Sequence, residues 1–551
     1  MSIHKLALGG ALGLAVAAVT SIPAQAAPPT QRYLVEFAAG RAANGKAAVQ
    51  AAGGVIALDL ARFNAVAAEI PDARVNQLRS NPNVRFVEPD LIRYPISAVR
   101  SIASGADRGL DDHGMTSPQV VPYGVPLVQA DQLTGDTGAG VKVCVIDSGY
   151  DISHEDKPKN PPVSGTDDTD GAGPWTEDGS GHGTHVSGTI NALDNDIGVI
   201  GVFPSVPMHI VRVFGNDGTW AYSSELINAV ADCMAHGANV INMSLGGTLP
   251  STLENAVFLH AQKSGVLSIA AAGNGGSGRS CDMWEDPSRP ERQACRMHYP
   301  SGYDSVMSVA AVDSSKHIAD FSQVNSKVEI AAPGVSVLST VPTDSMMDVT
   351  LAYGSTTTDV VPMDNFPIPA SPVAGMLQDC GLAGSAADCG DATGKVCLIE
   401  RGDYTFAQKA QSCEAAGGVA AVVYQRAGVA GPVLGTLGTT YVNIPVVGTD
   451  RDTGLDLQAN YLGSTATVAF TLSHYDYDFY SGTSMATPHV AGVAALLWSR
   501  HPGCGPIDIR EAMNATAEDL GTPGRDKYFG NGLVQAKAAD DHLTQTGCSG
   551  Q

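Results

Sequence analysis

The sequence predicts an α/β fold: a parallel sheet with helices on both faces, joined to a small α+β unit and a mainly β insertion. Three observations carry this. Between residues 118 and 344, apolar strand-like runs alternate with helical stretches. The polar residues able to do chemistry stand at the C-terminal ends of those runs, where open α/β sheets place their sites. From 345 to 472 the rhythm breaks into short Val-, Gly- and Asp-rich strands holding four of the ten cysteines, and it resumes at Tyr480.

The elements follow in order. Residues 1–26 have a polar start at His4 and Lys5, an apolar run from Leu6 to Val19, and the small-residue pattern Ala24-Gln25-Ala26. That is a secretory signal cut before Ala27. The run is shorter than the ~20 residues a membrane span needs, so no membrane association is expected once it is removed. In the small α+β unit, 27–96, Tyr33 to Phe37 alternates like a strand and Val87-Glu88-Pro89 closes a second. Residues 97–117 are small and polar and read as a linker. Val141 to Ile146 is a buried strand running into Asp147-Ser148-Gly149. His209 to Phe214, Val240 to Met243 and Val266 to Ala270 are further strands, with a helix over Ser224 to His236. The α/β unit is therefore split into 118–344 and 473–551 around the insertion.

Composition narrows the function. Of 551 residues, 44% are hydrophobic and 16% charged, enough for a large core and against disorder. Lys plus Arg is 32 against 56 Asp plus Glu, a net charge of −24 with no basic cluster. Binding to nucleic acid phosphates or anionic membranes is disfavoured. Ten cysteines suit an exported protein with a few disulfides. Cys281 and Cys295 flank a Gly- and charge-rich loop, Cys380, Cys389, Cys397 and Cys413 cluster, Cys504 and Cys548 bracket the C-terminal region, and Cys144 and Cys233 lie in apolar segments. The clustered four lack the tight C-x₂-C pair of a zinc site, so disulfides are expected, with pairing left open by the sequence.

Three segments bear chemistry. Val145-Ile146-Asp147-Ser148-Gly149 puts a carboxylate at a strand end. Gly181-His182-Gly183-Thr184-His185 starts a helix continuing to Ala192. Gly482-Thr483-Ser484-Met485-Ala486 opens an apolar helical run to Leu497. Each has a plainer reading: a capping Asp, a zinc pair from His182 and His185, an N-cap Ser. Zinc is disfavoured because no HExxH motif and no third ligand accompany the histidines. Taken together, in the order Asp, His, Ser, the segments resemble the subtilisin-like serine proteases, for which this chain order is characteristic. An α/β-hydrolase would run Ser, acid, His around G-x-S-x-G, where this chain has Ala486. A chymotrypsin-like enzyme would run His, Asp, Ser in an all-β chain.

The resemblance implies a subtilisin-like parallel sheet and a set of roles. Ser484 would be the nucleophile, His182 its base, and Asp147 the group that orients His182. Ala270-Ala271-Ala272-Gly273-Asn274 matches the family's oxyanion segment, with Asn274 as side-chain donor. Ser244-Leu245-Gly246-Gly247 matches the edge that pairs with an extended substrate. Ala271, Ala272 and Gly273 would line the other side of the main pocket, leaving room for a large apolar or aromatic side chain. Leu193-Asp194-Asn195-Asp196-Ile197-Gly198-Val199 resembles the family's calcium loop. It implies a structural calcium held by side chains of Asn195 and Asp156, carbonyls of Leu193, Ile197 and Val199, and an oxygen of Gln119. A solvated acidic loop is the alternative.

Residues 32–96 resemble the family's inhibitory propeptide, which also aids folding and is cut somewhere from Ile96 to Ser117. Residues 345–472 resemble the protease-associated (PA) domain through Lys395-Val-Cys-Leu-Ile-Glu-Arg-Gly402, Phe406, Lys409 and Ala415-Ala416-Gly417. That implies a role in shaping access or binding extended substrates. Arg401-Gly402-Asp403 falls inside this pattern, and its likeness to an adhesion tripeptide is coincidental. The expectation is a secreted, extracellular, monomeric serine endopeptidase acting on peptide and protein substrates, with its own propeptide as inhibitor. The alternatives are a catalytically silent binding protein of the same fold and a processing protease with one narrow target. The presence of Asp147, His182, Ser484 and Asn274 together speaks against the silent form.

Overall fold

The computed structural model describes residues 30–96, 119–136, 140–159, 163–167, 172–215, 220–276, 297–343, 347–363, 366–428, 431–433, 435, 437, 440–472 and 476–548, and the backbone of 99–100. The expected signal, the rest of the linker, and Cys281 and Cys295 lie outside them.

The centre is a seven-stranded, fully parallel sheet in the order Val328–Pro333, Val306–Val312, Leu267–Ala271, Val240–Met243, Val143–Asp147, Met208–Arg212, Ser164–Thr166. Alternation along a strand sends successive side chains to opposite faces. Val143 and Val145 join one core with Val186 and Ile190 of helix His182–Asn191 and Val490 and Val493 of helix Thr483–Arg500. Cys144 and Ile146 join the other with Leu226 and Val230 of helix Ser223–Ala235 and Val257 and Phe258 of helix Thr252–Lys263. Buried on both faces, these strands read as continuous apolar runs, which is why they were legible in the sequence.

Residues 30–89 form a four-stranded antiparallel sheet in the order Val55–Leu60, Ala65–Pro71, Thr30–Phe37, Val84–Pro89, with helices Ala42–Ala51 and Asp72–Arg79. One face has its own core around Val35, Val49 and Ile70. The other contributes Leu34, Leu60, Ala65 and Ala67 to the core that holds Leu226 and Phe258. Two carboxylates strengthen this docking by capping helix starts, where backbone N–H groups lack intrahelical acceptors. Glu88 accepts from Ser251 Oγ and from the backbone N–H of Thr252 and Leu253 at 2.8–3.0 Å. Asp90 accepts from the Ser224 N–H at 2.9 Å and its hydroxyl at 2.6 Å.

The strands from Met347 to Leu472 build a separate eight-stranded sheet in the order Thr356–Asp359, Met347–Tyr353, Thr465–Leu472, Val373–Asp379, Val396–Glu400, Ala420–Tyr424, Val446–Thr449, Val361–Pro362. Pairing is parallel from Val373–Asp379 through Val446–Thr449 and antiparallel at the edges. Arg401 does not present itself as an adhesion motif: its side chain is only 14% exposed, and its guanidinium reaches Asp320 and Gln425. Among the described residues four disulfides form, Cys144–Cys233, Cys380–Cys389, Cys397–Cys413 and Cys504–Cys548. The clustered four are therefore cystines. Among the described residues, no helix is long and apolar enough to cross a membrane.

Candidate active site

Asp147 ends the strand Val143–Asp147 with its side chain fully buried, and its Oδ1 lies 2.7 Å from His182 Nδ1. Oδ1 also accepts from the Ser148 N–H at 2.8 Å. His182 opens its helix, preceded by Gly181 at φ 78°. Gly183 must be glycine, since a Cβ there would meet the Gly149 carbonyl oxygen at 2.2 Å. Asp178, which sequence reasoning missed, holds the entry to this helix. Its carboxylate accepts from Ser148 Oγ, the Gly181 and Thr184 N–H groups and Thr184 Oγ1 at 2.7–2.9 Å. A carboxylate just ahead of a Gly-led helix start was the available signal.

Burial pushes the His182 pKa down, but the Asp147 carboxylate, with a smaller contribution from Asp178, more than offsets it, and the net shift is upward. Its Nε2 is buried with no hydrogen-bond partner among the described residues. His185, one turn on, points elsewhere: its Nε2 faces the Val337 and Asp478 carbonyls, its ring stacks on Tyr480 at 4.4 Å, and burial takes its pKa to about 3. The two histidines do not form a zinc pair.

Ser484 sits in the first turn of Thr483–Arg500, where backbone N–H groups point outward from the positive end of the helix dipole. Pro488 has no N–H for the Ser484 carbonyl, and Ser244 Oγ donates to that carbonyl instead, at 2.8 Å. Ser484 Oγ donates to the Ile96 carbonyl at 2.5 Å, with the Ser244 carbonyl at 3.4 Å, rather than to His182. Asn274 Oδ1 accepts from the Thr483 N–H and hydroxyl, both at 2.9 Å, which commits that oxygen and leaves the amide N–H₂ as the donor end.

Residues 92–96 occupy the cleft as a strand. Ile92–Pro95 pairs antiparallel with Leu245–Gly246 on one side and Ala221–Tyr222 on the other, and the Ile96 N–H reaches the Ser244 carbonyl at 3.1 Å. Beyond Ile96 the backbone of Val99–Arg100 pairs antiparallel with Tyr480–Ser481. The chain thus crosses Ser484, pairing before and after it. Ala271 and Ala272 are fully buried, and Ala272 packs in a cluster with Ala310, Val328 and Leu533. Gly273 faces His298: a Cβ on Gly273 would meet His298 Cγ at 3.0 Å, and one on Gly246 would meet Nδ1 at 3.1 Å. An imidazole thus stands between Gly246 and Gly273, narrowing a space whose small residues suggested room for an aromatic group.

Part of the expected calcium set gathers around Gln119, which presents its amide nitrogen to the cluster where an oxygen was expected. The carbonyls of Leu193 and Val199 and Oδ1 of Asn195 converge on the Gln119 amide nitrogen at 2.6, 3.1 and 3.4 Å. Ile197 donates its N–H to Asn195 Oδ1 at 3.2 Å, and Asp156 accepts from the N–H groups of Leu193 and Val199 at 3.2 and 2.9 Å. Oxygens gathered around one positively polarised group suit a hard cation.

Residues 138–359 and 436–532 match the family model described as the Subtilase family, and residues 365–457 match the PA domain. M-protease of Shouchella clausii (strain KSM-K16) is 33% identical, over 98% of this chain and 98% of its own. Subtilisin NAT of Bacillus subtilis subsp. natto is 29% identical, over 95% and 94%. Among solved structures, the psychrophilic subtilisin-like protease Apa1 from the Antarctic psychrotroph Pseudoalteromonas sp. AS-11 superposes with a TM-score of 0.52 at 38% identity, covering 78% of this chain and 99% of that one.

Proposed function

The chain belongs to the subtilase family and is a serine endopeptidase, and from that premise we propose that it is exported, cuts itself free of residues 27–96, and works through an Asp147–His182–Ser484 triad. The observation that carries this is the strand 92–96 lying between two edge strands with the Ile96 carbonyl on Ser484 Oγ. An extended peptide added to a sheet edge is how such a cleft takes substrate. Ser484 Oγ attacks the carbonyl carbon as His182 Nε2 takes its proton. Asp147 keeps the imidazole oriented through Nδ1 and stabilises it once charged. The oxyanion is received by the Asn274 amide and the Ser484 backbone N–H. The C–N bond then breaks, the leaving amine takes the proton from His182, and water resolves the acyl-enzyme by the same path in reverse.

Because Ile96 stands across Ser484, the self-cleavage falls between Ile96 and Ser97. Residues 27–96 then remain as an inhibitor held by the edge pairing and by Glu88 and Asp90. The insert 345–472 serves substrate access, as a PA domain tied to the protease by Arg401 and Asp320. Export is supported by the 1–26 pattern and by four cystines, which persist in oxidising compartments. The test is casein hydrolysis by the processed protein, with and without a serine-directed fluorophosphonate. Cleavage abolished by the reagent is expected; a processed protein without hydrolytic activity would contradict the proposal.

Two expectations follow. Asn274→Leu removes the amide donor at nearly constant volume and should lower kcat by about 10²–10³, the range found for the equivalent change in subtilisin, with little effect on KM. For the calcium cluster, a ligand at 100 times its Kd adds about 2.7 kcal/mol to stability. Chelation should therefore lower Tm by roughly 5–10 °C, reversed by calcium and not by magnesium; an unchanged Tm would remove calcium from the account.

A further inference from the structure

The strand in the cleft carries a charged group in an unusual place. Arg93 lies three residues before Ile96, opposite Ala221 in the pairing register. Its side chain is 1% exposed and that of Glu254 is 0% exposed. Arg93 Nε to Glu254 Oε2 and Arg93 Nη2 to Oε1 are both 3.0 Å, the two-pronged geometry in which guanidinium matches carboxylate. Ser223 Oγ donates to Glu254 Oε2 at 2.5 Å.

Glu254 has been drawn away from a local role. Ser251-Thr252-Leu253-Glu254 reads as a capping box, in which the Glu carboxylate turns back to the Ser N–H. Half of the box forms, with the Glu254 N–H on Ser251 Oγ at 3.1 Å. The Ser251 N–H goes instead to Tyr303 Oη at 2.8 Å, and the carboxylate faces the cleft. Glu254 and Ser223 belong to the protease, whereas Arg93 belongs to the segment proposed to leave. When it leaves, a carboxylate built into an otherwise enclosed recess loses its counter-charge, an arrangement that favours an incoming cation.

We propose that Glu254 and Ser223 form a subsite for an arginine side chain four residues before the scissile bond, counting the residue that donates the cleaved carbonyl as the first, so that the enzyme selects substrates by this arginine. This rests on the protease reading and on residues 92–96 lying as substrate does. Lysine fits less well, because a single ammonium cannot engage both carboxylate oxygens with paired planar donors.

The test uses processed enzyme and peptides of the sequence Leu-Ile-X-Tyr-Pro-Ile-Ser-Ala, with X as Arg, Lys, Leu or Glu. The Arg peptide should exceed the Leu peptide in kcat/KM by on the order of 30-fold, with Lys between them and Glu lowest. In Glu254→Gln and Glu254→Leu the Arg-to-Leu ratio should fall to near one. Should these variants fail to mature, the isolated 27–96 segment carrying Arg93→Leu, added to wild-type enzyme, should need on the order of 30-fold higher concentration to inhibit. Equal cleavage of Arg and Leu peptides, or an Arg preference that survives both Glu254 variants, would overturn the subsite. Casein cleavage separates the two levels: casein cut without Arg preference refutes the subsite alone, whereas casein left intact refutes the protease reading and the subsite with it.

Discussion

Ser484→Ala should leave the chain uncut, with residues 27–96 still joined to the rest. The cut is intramolecular. Ile96 is already seated at Ser484 in the uncut chain, so the first turnover needs no encounter with substrate and reports on the chemistry alone. Removing the nucleophile costs about 2 × 10⁶ in turnover in subtilisin, a member of the same family. If the wild type cuts itself at a typical enzymatic rate of about 10 s⁻¹, the variant is left near 10⁻⁵ s⁻¹, a half-life on the order of a day. Intact mass over the first hours after purification from a protease-deficient host distinguishes the two. The wild type should lose the mass of residues 27–96, and the variant should keep it. Equally rapid maturation of the variant would assign the cut to another protease.

Asp147→Asn should slow the same self-cleavage by about 10⁴, the loss seen when the equivalent change is made in a serine protease triad. Two effects combine. The amide can donate to Nδ1, which fixes the wrong tautomer and moves the proton to the nitrogen that must act as base. The charge that steadies the imidazolium also goes. The second effect has a signed consequence for pH. His182 must be neutral to accept the Ser484 proton, so the rate rises with pH as the imidazole loses its own proton. In the wild type Asp147 holds that pKa above its ordinary value against the opposing pull of burial. With the Asp147 charge removed, burial is opposed only by the weaker pull of the Asp178 carboxylate, and the pKa falls. The residual activity of Asp147→Asn should therefore reach its plateau at lower pH than the wild type, although the plateau itself is far lower. A limb that stays in place would mean that Asp147 does not face His182 in the working enzyme.

Why some of this was legible in the sequence and some was not comes down to distance along the chain. Val143 to Asp147 announces itself because a strand buried on both faces must be apolar throughout, and a carboxylate at its end stands out. The helix start at His182 carries glycines, one of which the close approach of Gly183 to the Gly149 carbonyl requires, and the start at Ser484 follows Gly482. The contact between Ile96 and Ser484 spans 388 positions, and nothing local in residues 92–96 reveals which edge strands will bracket them. Only a range from Ile96 to Ser117 could be read for the cut. Glu254 was hidden differently: a capping box explains its position in sequence so well that no further role is suggested. The small residues Ala271 to Gly273 pointed to room for a large side chain, because the sequence does not specify the path of the loop that brings His298 beside Gly273. Asp178 had a visible cue, three residues ahead of Gly181, but its convergence on Ser148 depends on the sheet bringing the two loops together.

The claim that the Ser484 hydroxyl is the nucleophile is tested most directly by locating the adduct that processed, active protein forms with a fluorophosphonate. One adduct per chain is expected, on Ser484, appearing in step with the loss of casein hydrolysis. Loss of activity with the adduct on any other residue, or full activity with Ser484 modified, would contradict it.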